Sequence, residues 1–530
     1  MKKIKILLIL LFAVFGLVLF QAQPMTASSP LIPLTRDGSS VFHYNTSNPV
    51  MIPQTYAEQT HEFRGVWVAT VFSLNMPLHT SEVQYKAAYD ELLDRVLAKN
   101  MNAILFQVRP QNDAFYQSDY AEFSKWLTGI EGQDPGWDVM EYLVSRAHER
   151  GVEFHAWLNP YRVGNSSMTK TNYINTLHEG NFASLNPDLV VAGNPDGNGL
   201  YPYILNPGEP LVKEYIRNVV KELIALYDVD GIHFDDYFYP YSGINSDLTT
   251  YDTYKLPGQL LADWRRENVN DVIEGVKQDV DLHNTTNSKD VRFGVSPFGI
   301  WAGKNTIPEG SNTGATGQSY VSQYADSKKW VEEGWVHYIN PQIYWNFKHS
   351  TAPYADVVDW WASVVRGTDV DLLIGHSIAN ATGWLSDEIA TQLKYNQKHP
   401  EIKGSVLYSA AFLNSTNMTT VVNSYWETTT LGTWATSNVE GPTYSLAGTF
   451  SNGAYRSDVT VTLTSTDQAY YKIGTGDWMI YTEPVVLTHQ GTQTFFMKAI
   501  NSLDEESLVS AVDVTITRVN NVLPTITVNG

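Results

Sequence analysis

At 530 residues and 43% hydrophobic content, the chain is long enough for one large domain plus accessory units and rich enough in apolar residues to fill a core. A formal net charge of −21 leaves no basic stripe to displace counterions from phosphates, which excludes nucleic acid as a partner, whereas an acidic surface rich in Tyr and Trp suits neutral or amino sugars. The absence of cysteine excludes disulfides, thiolate metal sites, a cysteine nucleophile and a lipid-anchored N-terminal Cys, and leaves carboxylates as the open route to a metal.

Residues 1–27 read as an export signal: Lys2, Lys3 and Lys5 form a positive region ahead of the apolar run Ile6–Phe20, with cleavage expected near Ala22 or Ala27. If uncleaved, the same run would tether the chain to a membrane; either way the body is extracytoplasmic. Residues 28–60, rich in Pro, Ser, Thr and Asn, read as a linker. From residue 61 to 426, short apolar β-runs alternate with stretches of helical period. Eight runs are expected as strands: Phe63–Val71, Ala103–Arg109, Glu153–Leu158, Gly231–Asp235, Val291–Pro297, Tyr338–Tyr344, Asp371–Gly375 and Ser405–Ser409. Helices are expected at Ser81–Lys99, Trp137–Arg150, Glu209–Tyr227, Leu256–Leu282, Ser319–Glu333, Tyr354–Val365 and Asp387–Lys398. Thr80 or Ser81 would cap the first and Ser386 the last, with Gly151 just past the end of the second. Eight β/α units predict an α/β fold, a closed (β/α)8 TIM barrel.

Residues 427–520 change to Thr-, Ser- and Val-rich alternation, with strands expected at Val459–Leu463, Ala469–Ile473, Thr494–Ala499 and Val512–Thr517 and a hairpin turn at Gly474–Asp477. This predicts a small all-β Ig-like sandwich. Pro442-Thr443 followed by Gly448 reappears as Pro524-Thr525 followed by Gly530, so residues 521–530 would open a further repeat.

The chemistry is expected at Val229–Pro240, VDGIHFDDYFYP, where a β-run ends in two adjacent carboxylates and a burst of aromatics. Strand ends face the mouth of such a barrel, and crowded carboxyls in a partly apolar setting drive one of them to hold a proton, so Asp235 and Asp236 are the catalytic candidates. Strand alternation points neighbours to opposite faces, so both reach the mouth only if the backbone bends, as Tyr237–Pro240 would allow. Substrate-binding candidates are drawn from the barrel strands and their ends: Arg64 and Trp67, Gln107, Arg109 and Asp113, Asn159, Tyr161 and Arg162, Tyr237, Ser296 and Trp301, Gln342, Tyr344 and Trp345, and His376. Amides and guanidinium groups bond hydroxyls there and planar rings stack on pyranose faces, although any large barrel also carries polar loop residues and buries Trp for packing. His233 is either a packed interior histidine or a partner of the pair. No HExxH, EF-hand loop or phosphate-cradling glycine loop is present, and no motif calls for a metal or cofactor.

Six blocks in order, FRGVWVATV, FQVRPQNDAFYQSDYAEFSKWLTG, HAWLNPYRV, DGIHFDDYFYP, GVSPFGIW and NPQIYW, resemble the bacterial glycosyl-hydrolase-like family ten over roughly Glu62 to Asn414. The resemblance implies an exported or surface-attached barrel associated with cell-wall glycan, hence N-acetylated amino sugars as substrate. By analogy with hexosaminidases that carry an acidic pair at the fourth strand, Asp235 would orient a substrate acetamide and Asp236 protonate the leaving oxygen, or the reverse. A chitinase-like pattern departs here, because its acid Glu would fall at Tyr237 and one of its Asp positions at His233. The ordinary retaining alternative uses one Asp as nucleophile and a second carboxyl, of which Asp113 is the best placed. A hydrolase of neutral polysaccharide and a non-catalytic glycan-binding barrel are the competing readings. In the sandwich, Trp478 and Tyr481 would either contact glycan or pack within a hairpin.

Overall fold

The computed structural model describes residues 29–518 apart from 79–80, 431, 435–438, 440, 452, 475, 502–506 and 508. The export segment, Thr80 and the second Pro-Thr copy lie outside the described residues. Eight parallel strands close into a barrel in chain order: Phe63–Val68, Ala103–Arg109, Glu153–Leu158, Gly231–Phe234, Arg292–Val295, Tyr338–Ile339, Asp371–Ser377 and Ile402–Tyr408. Period-two alternation divides each strand between two cores. Phe63, Trp67, Leu105, Trp157, Tyr338, Leu373 and Val406 fill the interior, while Val66, Val68, Ile104, Phe106, Ile232 and Phe234 face the helical layer. Two glycines make the interior fit. A Cβ on Gly231 would lie 2.2 Å from His155 Nδ1, and one on Gly294 would lie 2.1 Å from the Tyr338 ring.

The outer helices include Glu82–Leu97, Val139–Glu149, Pro210–Leu226, Leu261–Asn287, Tyr354–Val365 and Glu388–Asn396. Ser81 caps the first through the amide of Gln84, whereas Asp387, not Ser386, holds the cap position of the last and makes no side-chain bond there. The helix expected at Ser319–Glu333 is broken into Ser319–Ser322 and Ser327–Glu332, with Tyr324 between them at φ 51°. The sixth strand is short because Pro341 has no N–H to continue the ladder. Gln342 rejoins by isolated bridges to Phe298 and Gly375.

The stretch read as a linker is built into the fold. Leu31–Pro33 pairs antiparallel with Met51–Pro53, and a hairpin turns at Asp37-Gly38, both at positive φ. Leu34, Val41, Val50 and Ile52 join the main core, and the buried Arg36 guanidinium lies 2.7 Å from Glu388. A second excursion, between the third and fourth strands, carries a three-stranded antiparallel sheet of Arg162–Ser166, Tyr201–Leu205 and Val190–Ala192. The amide of Asn194 donates to Gly243 O and ties this excursion to the loop that follows Asp236.

Beyond the barrel, Thr443–Ala447, Val459–Thr464 and Val485–Leu487 form one sheet of a β-sandwich, and Gly491–Ile500, Ser510–Ile516 and Gln468–Ile473 form the centre of the other. Val459, Val461, Phe495, Met497, Val514 and Ile516 meet between them. The turn position Gly474 has φ +55° and precedes a strand that pairs back on Gln468–Ile473. Among the described residues no helix is long and apolar enough to cross a membrane.

Candidate active site

On the fourth strand Gly231 and His233 face the barrel interior, so alternation carries Asp235 to the inner side of the mouth. The backbone then turns at once. Tyr237 N donates to Asp235 Oδ1 at 3.2 Å and Phe238 N to Asp236 O at 3.0 Å, which brings the next carboxyl to the same mouth. Asp235 Oδ2 accepts from Trp157 Nε1 at 2.9 Å and from Asn159 Nδ2. The Gln342 amide, which donates to Ser296 O at 2.9 Å, favours the ionised form of Asp236. Both carboxyls are buried. Burial, then the charge of Asp236, pushes Asp235 up to about 7, and burial pushes Asp236 up to about 6. The Asp236 charge thereby favours the protonated form of Asp235.

The pair stands on an ordered polar floor. Trp67 Nε1 can only donate, so His233 Nε2 accepts its bond at 3.3 Å. His233 Nδ1 therefore carries the ring proton and donates to the Tyr338 hydroxyl at 3.0 Å, which leaves Tyr338 to donate to His155 Nδ1 at 3.1 Å. Burial lowers the His233 pKa well below its ordinary value, in keeping with a neutral ring. His233 is thus both a packed residue and the support of the floor.

Several expected binding residues come together around the pair. Gln107 Nε2 donates to Asn159 Oδ1 at 2.7 Å, and its own carbonyl accepts from the amides of Thr70 and Val71, each at 3.0 Å. The Arg162 guanidinium lies 4.9 Å from the centre of the Tyr237 ring and favours the ionised form of both carboxyls. Tyr344 stacks on Tyr408 at 5.8 Å and meets Trp67 edge-on. An aromatic run leads outward from Tyr237 through Tyr241 and Phe298 to Trp345, with centroid separations of 6.0, 6.2 and 5.5 Å. Ser296 Oγ bonds His233 at 3.0 Å beneath the pair.

Other expected binding residues lie elsewhere. Arg64, on the outward face at the start of its strand, pairs with Glu62 and Glu58 at the opposite end of the barrel. A register shift after Gln107 takes Arg109 out of the inward row, and its guanidinium holds Gln111 O, Asn112 and Tyr215. Asp113 is buried in its own loop, bonded to Gln111 N and Ser124 Oγ, and burial raises it to about 6. Tyr161 packs on Phe238 in the helical-layer core. Trp301 stacks on Trp360 and donates to Asp326. His376 falls on the outward face of the seventh strand, between Gln392 and Ser405. In the sandwich, Tyr481 accepts the Leu463 amide and packs against the sandwich core.

Sequence reasoning missed Trp157, Tyr408 and Tyr241. Trp157 was legible from alternation, two positions before Asn159 on the same face, whereas Tyr408 and Tyr241 reach the site only through the barrel's closure and the turn after Asp236. A cleft of about 500 Å3 between the loop after the second strand and helix Pro210–Leu226 contains neither carboxyl, so volume alone does not mark the chemistry.

The family model for "Glycosyl hydrolase-like 10" matches residues 62–388. The chain belongs to this family. Glycosyl hydrolase YngK of Bacillus subtilis is 36% identical over 370 residues, covering 68% of this chain and 70% of its own. Glycosyl hydrolase DigH of Escherichia coli K12 is 36% identical over 389 residues, covering 68% and 86%. Among solved structures, the PgaB glycoside hydrolase domain of Bordetella bronchiseptica aligns with a TM-score of 0.46 at 14% identity, covering 68% of this chain and 98% of its own. The matched span of the glycosyl hydrolase-like 10 family contains both carboxyls, their donors and the aromatic run.

Proposed function

We propose that the protein is an exported glycoside hydrolase that cleaves cell-wall glycan built from N-acetylated amino sugars, with Asp235 and Asp236 as its working pair. The observation that carries the reading is two buried carboxyls side by side at the barrel mouth, raised to about 7 and about 6. A surface that only bonded hydroxyls would have no use for such crowding. Asp235, the higher of the two, holds the last proton of the free pair; in the complex the acetamide N–H adds a further donor to the three already trained on Asp235, which favours its ionised form and moves the proton to Asp236.

In the mechanism that follows, Asp235 accepts the acetamide N–H and aims its carbonyl oxygen at the anomeric carbon. That oxygen bonds the carbon as the glycosidic C–O bond breaks, and Asp236 passes its proton to the departing oxygen. Water then attacks the anomeric carbon while Asp236 takes a proton back, reopening the ring and restoring the acetamide. Asp113 has both carboxylate oxygens engaged within its own loop, which favours the adjacent pair over the alternative in which one Asp is the nucleophile and Asp113 the second carboxyl.

The test is product release from peptide-free cell-wall glycan strands by the mature protein, run beside Asp235→Asn and Asp236→Asn and read by mass spectrometry. Release by the parent that falls by about a hundredfold or more in both variants is the expected result. Release from neutral polysaccharide instead would change the substrate class, and binding without release in all three proteins would make the barrel a glycan-binding module.

A further inference from the structure

We propose that Phe72 and Trp126 form a sugar-stacking subsite on the opposite side of the mouth from Tyr237 and Trp345, keyed to the acidic pair through Gln107. The proposal rests on the reading of the mouth as a glycan site, and its ligand is one pyranose ring of a chain that extends beyond the bond cleaved.

Three independent features meet at this place. Phe72 follows the first barrel strand, at the end of the barrel that carries the pair, and its side chain is 58% exposed although it is a large apolar ring. The ring does not lie loose, because it meets Trp126 edge-on at 4.9 Å. Phe72 and Ser73 both take left-handed backbone angles, φ 56° and 52°, which a residue with a Cβ rarely adopts and which glycine would hold without strain. An aromatic ring kept in solvent by an unfavourable backbone is held against the preference of the fold. Trp126 Nε1 is buried and has no hydrogen-bond partner among the described residues, so the indole is held beside Phe72 by ring contact and not by its N–H.

The loop is also located with respect to the pair. Gln107 Oε1 accepts the amides of Thr70 and Val71, the two residues immediately before Phe72. The other end of the same amide holds Asn159, which holds Asp235. Asn75 closes the loop from the far side, accepting the Ala69 amide at 2.8 Å and donating to Ser409 Oγ at the end of the eighth strand. One side-chain amide therefore sets both the acidic pair and the base of the aromatic arm. Aromatic arms on both sides of the pair suit a ligand that runs through the mouth rather than one that ends in it.

The experiment compares Phe72→Ala, Phe72→Trp and Phe72→Gly with the parent on N-acetylated disaccharides and on long oligomers. The expected result is a loss of about tenfold in kcat/KM for Phe72→Ala on long oligomers, carried by KM, with no change on disaccharides and recovery in Phe72→Trp. An equal loss at every length, or no loss at any length, would overturn the subsite. Phe72→Gly is expected to melt at or above the parent temperature, and a lower melting temperature would mark Phe72 as a packing residue and overturn the argument. If the parent turns over no oligomer, the hydrolase reading fails by itself. Calorimetric binding of the long oligomers then decides the subsite: about tenfold weaker binding by Phe72→Ala supports it, and equal or absent binding by parent and variant overturns it.

Discussion

At Asp236 a single buried carboxyl links stability to pH. Its folded pKa stands at about 6 against an ordinary 3.8, and burial is the main cause. Below pH ~4 folded and unfolded chains both hold the proton, so an Asn there is equivalent to the protonated acid. As the pH rises through about 6 the folded protein must bury a charge that the unfolded chain carries in water. Asp236→Asn is therefore expected to be more stable than the parent at pH ~8, by on the order of 3 kcal/mol, with the gap closing below pH ~4. Urea titrations of both proteins across that range measure it, and a gap independent of pH would contradict the assignment. The parent's turnover is expected to fall as the pH rises past about 7, where the pair loses its last proton.

Between elements, the amide of Gln107 joins the first strand's loop, the third strand's end and Asp235. Gln107→Leu keeps the volume but leaves two buried amides without an acceptor and frees Asn159 to rotate. A loss of about 2 kcal/mol in stability and of roughly 10- to 100-fold in kcat is expected, with KM less affected. Steady-state kinetics beside a denaturation curve separate the two effects. The N-terminal segment is anchored by the same physics. Arg36→Ala would strand the buried Glu388, which pairs with Arg36 at 2.7 Å, and should cost about 3 kcal/mol in a urea titration while leaving kcat near the parent's, because the pair lies at the flank.

For the whole molecule, the segment after the last barrel helix is the barrel's lower cover. Thr428 O accepts from Arg64 and Thr430 O from Asn102, and the Trp434 indole lies 5.1 Å from Phe63 and 5.2 Å from Tyr338, donating to Asp371 at 2.6 Å. The sandwich makes its own contact through Arg150 and Asp513 at 3.1 Å. Trp434→Ala should therefore destabilise the barrel by about 3 kcal/mol, read as an earlier urea midpoint, without altering the pH profile set at the other end. Arg64, expected among the substrate-binding residues, belongs to this lower cover.

Period and punctuation were enough to place the barrel, since alternation and β/α spacing are local properties of the chain, and Ala103–Arg109, Glu153–Leu158 and Tyr354–Val365 emerge with the bounds read from the residues. The same alternation leads to Asp235, Asn159 and Gln107, because a side chain's face follows from counting along one strand. Counting fails where the strand stops. Arg109 beyond a register shift, Trp301 in a returning loop and Asn194 just past an inserted strand take positions that depend on contacts distant in sequence. The segment before the barrel looked like a linker because its apolar residues are sparse, and only docking against Glu388 and the main core gives Arg36 and Val50 a partner. Composition and period reveal which face a residue prefers, whereas closure of the barrel decides which faces meet; Tyr408 beside Asp235 and Trp434 beneath His155 exist as neighbours only once the first and eighth strands have joined.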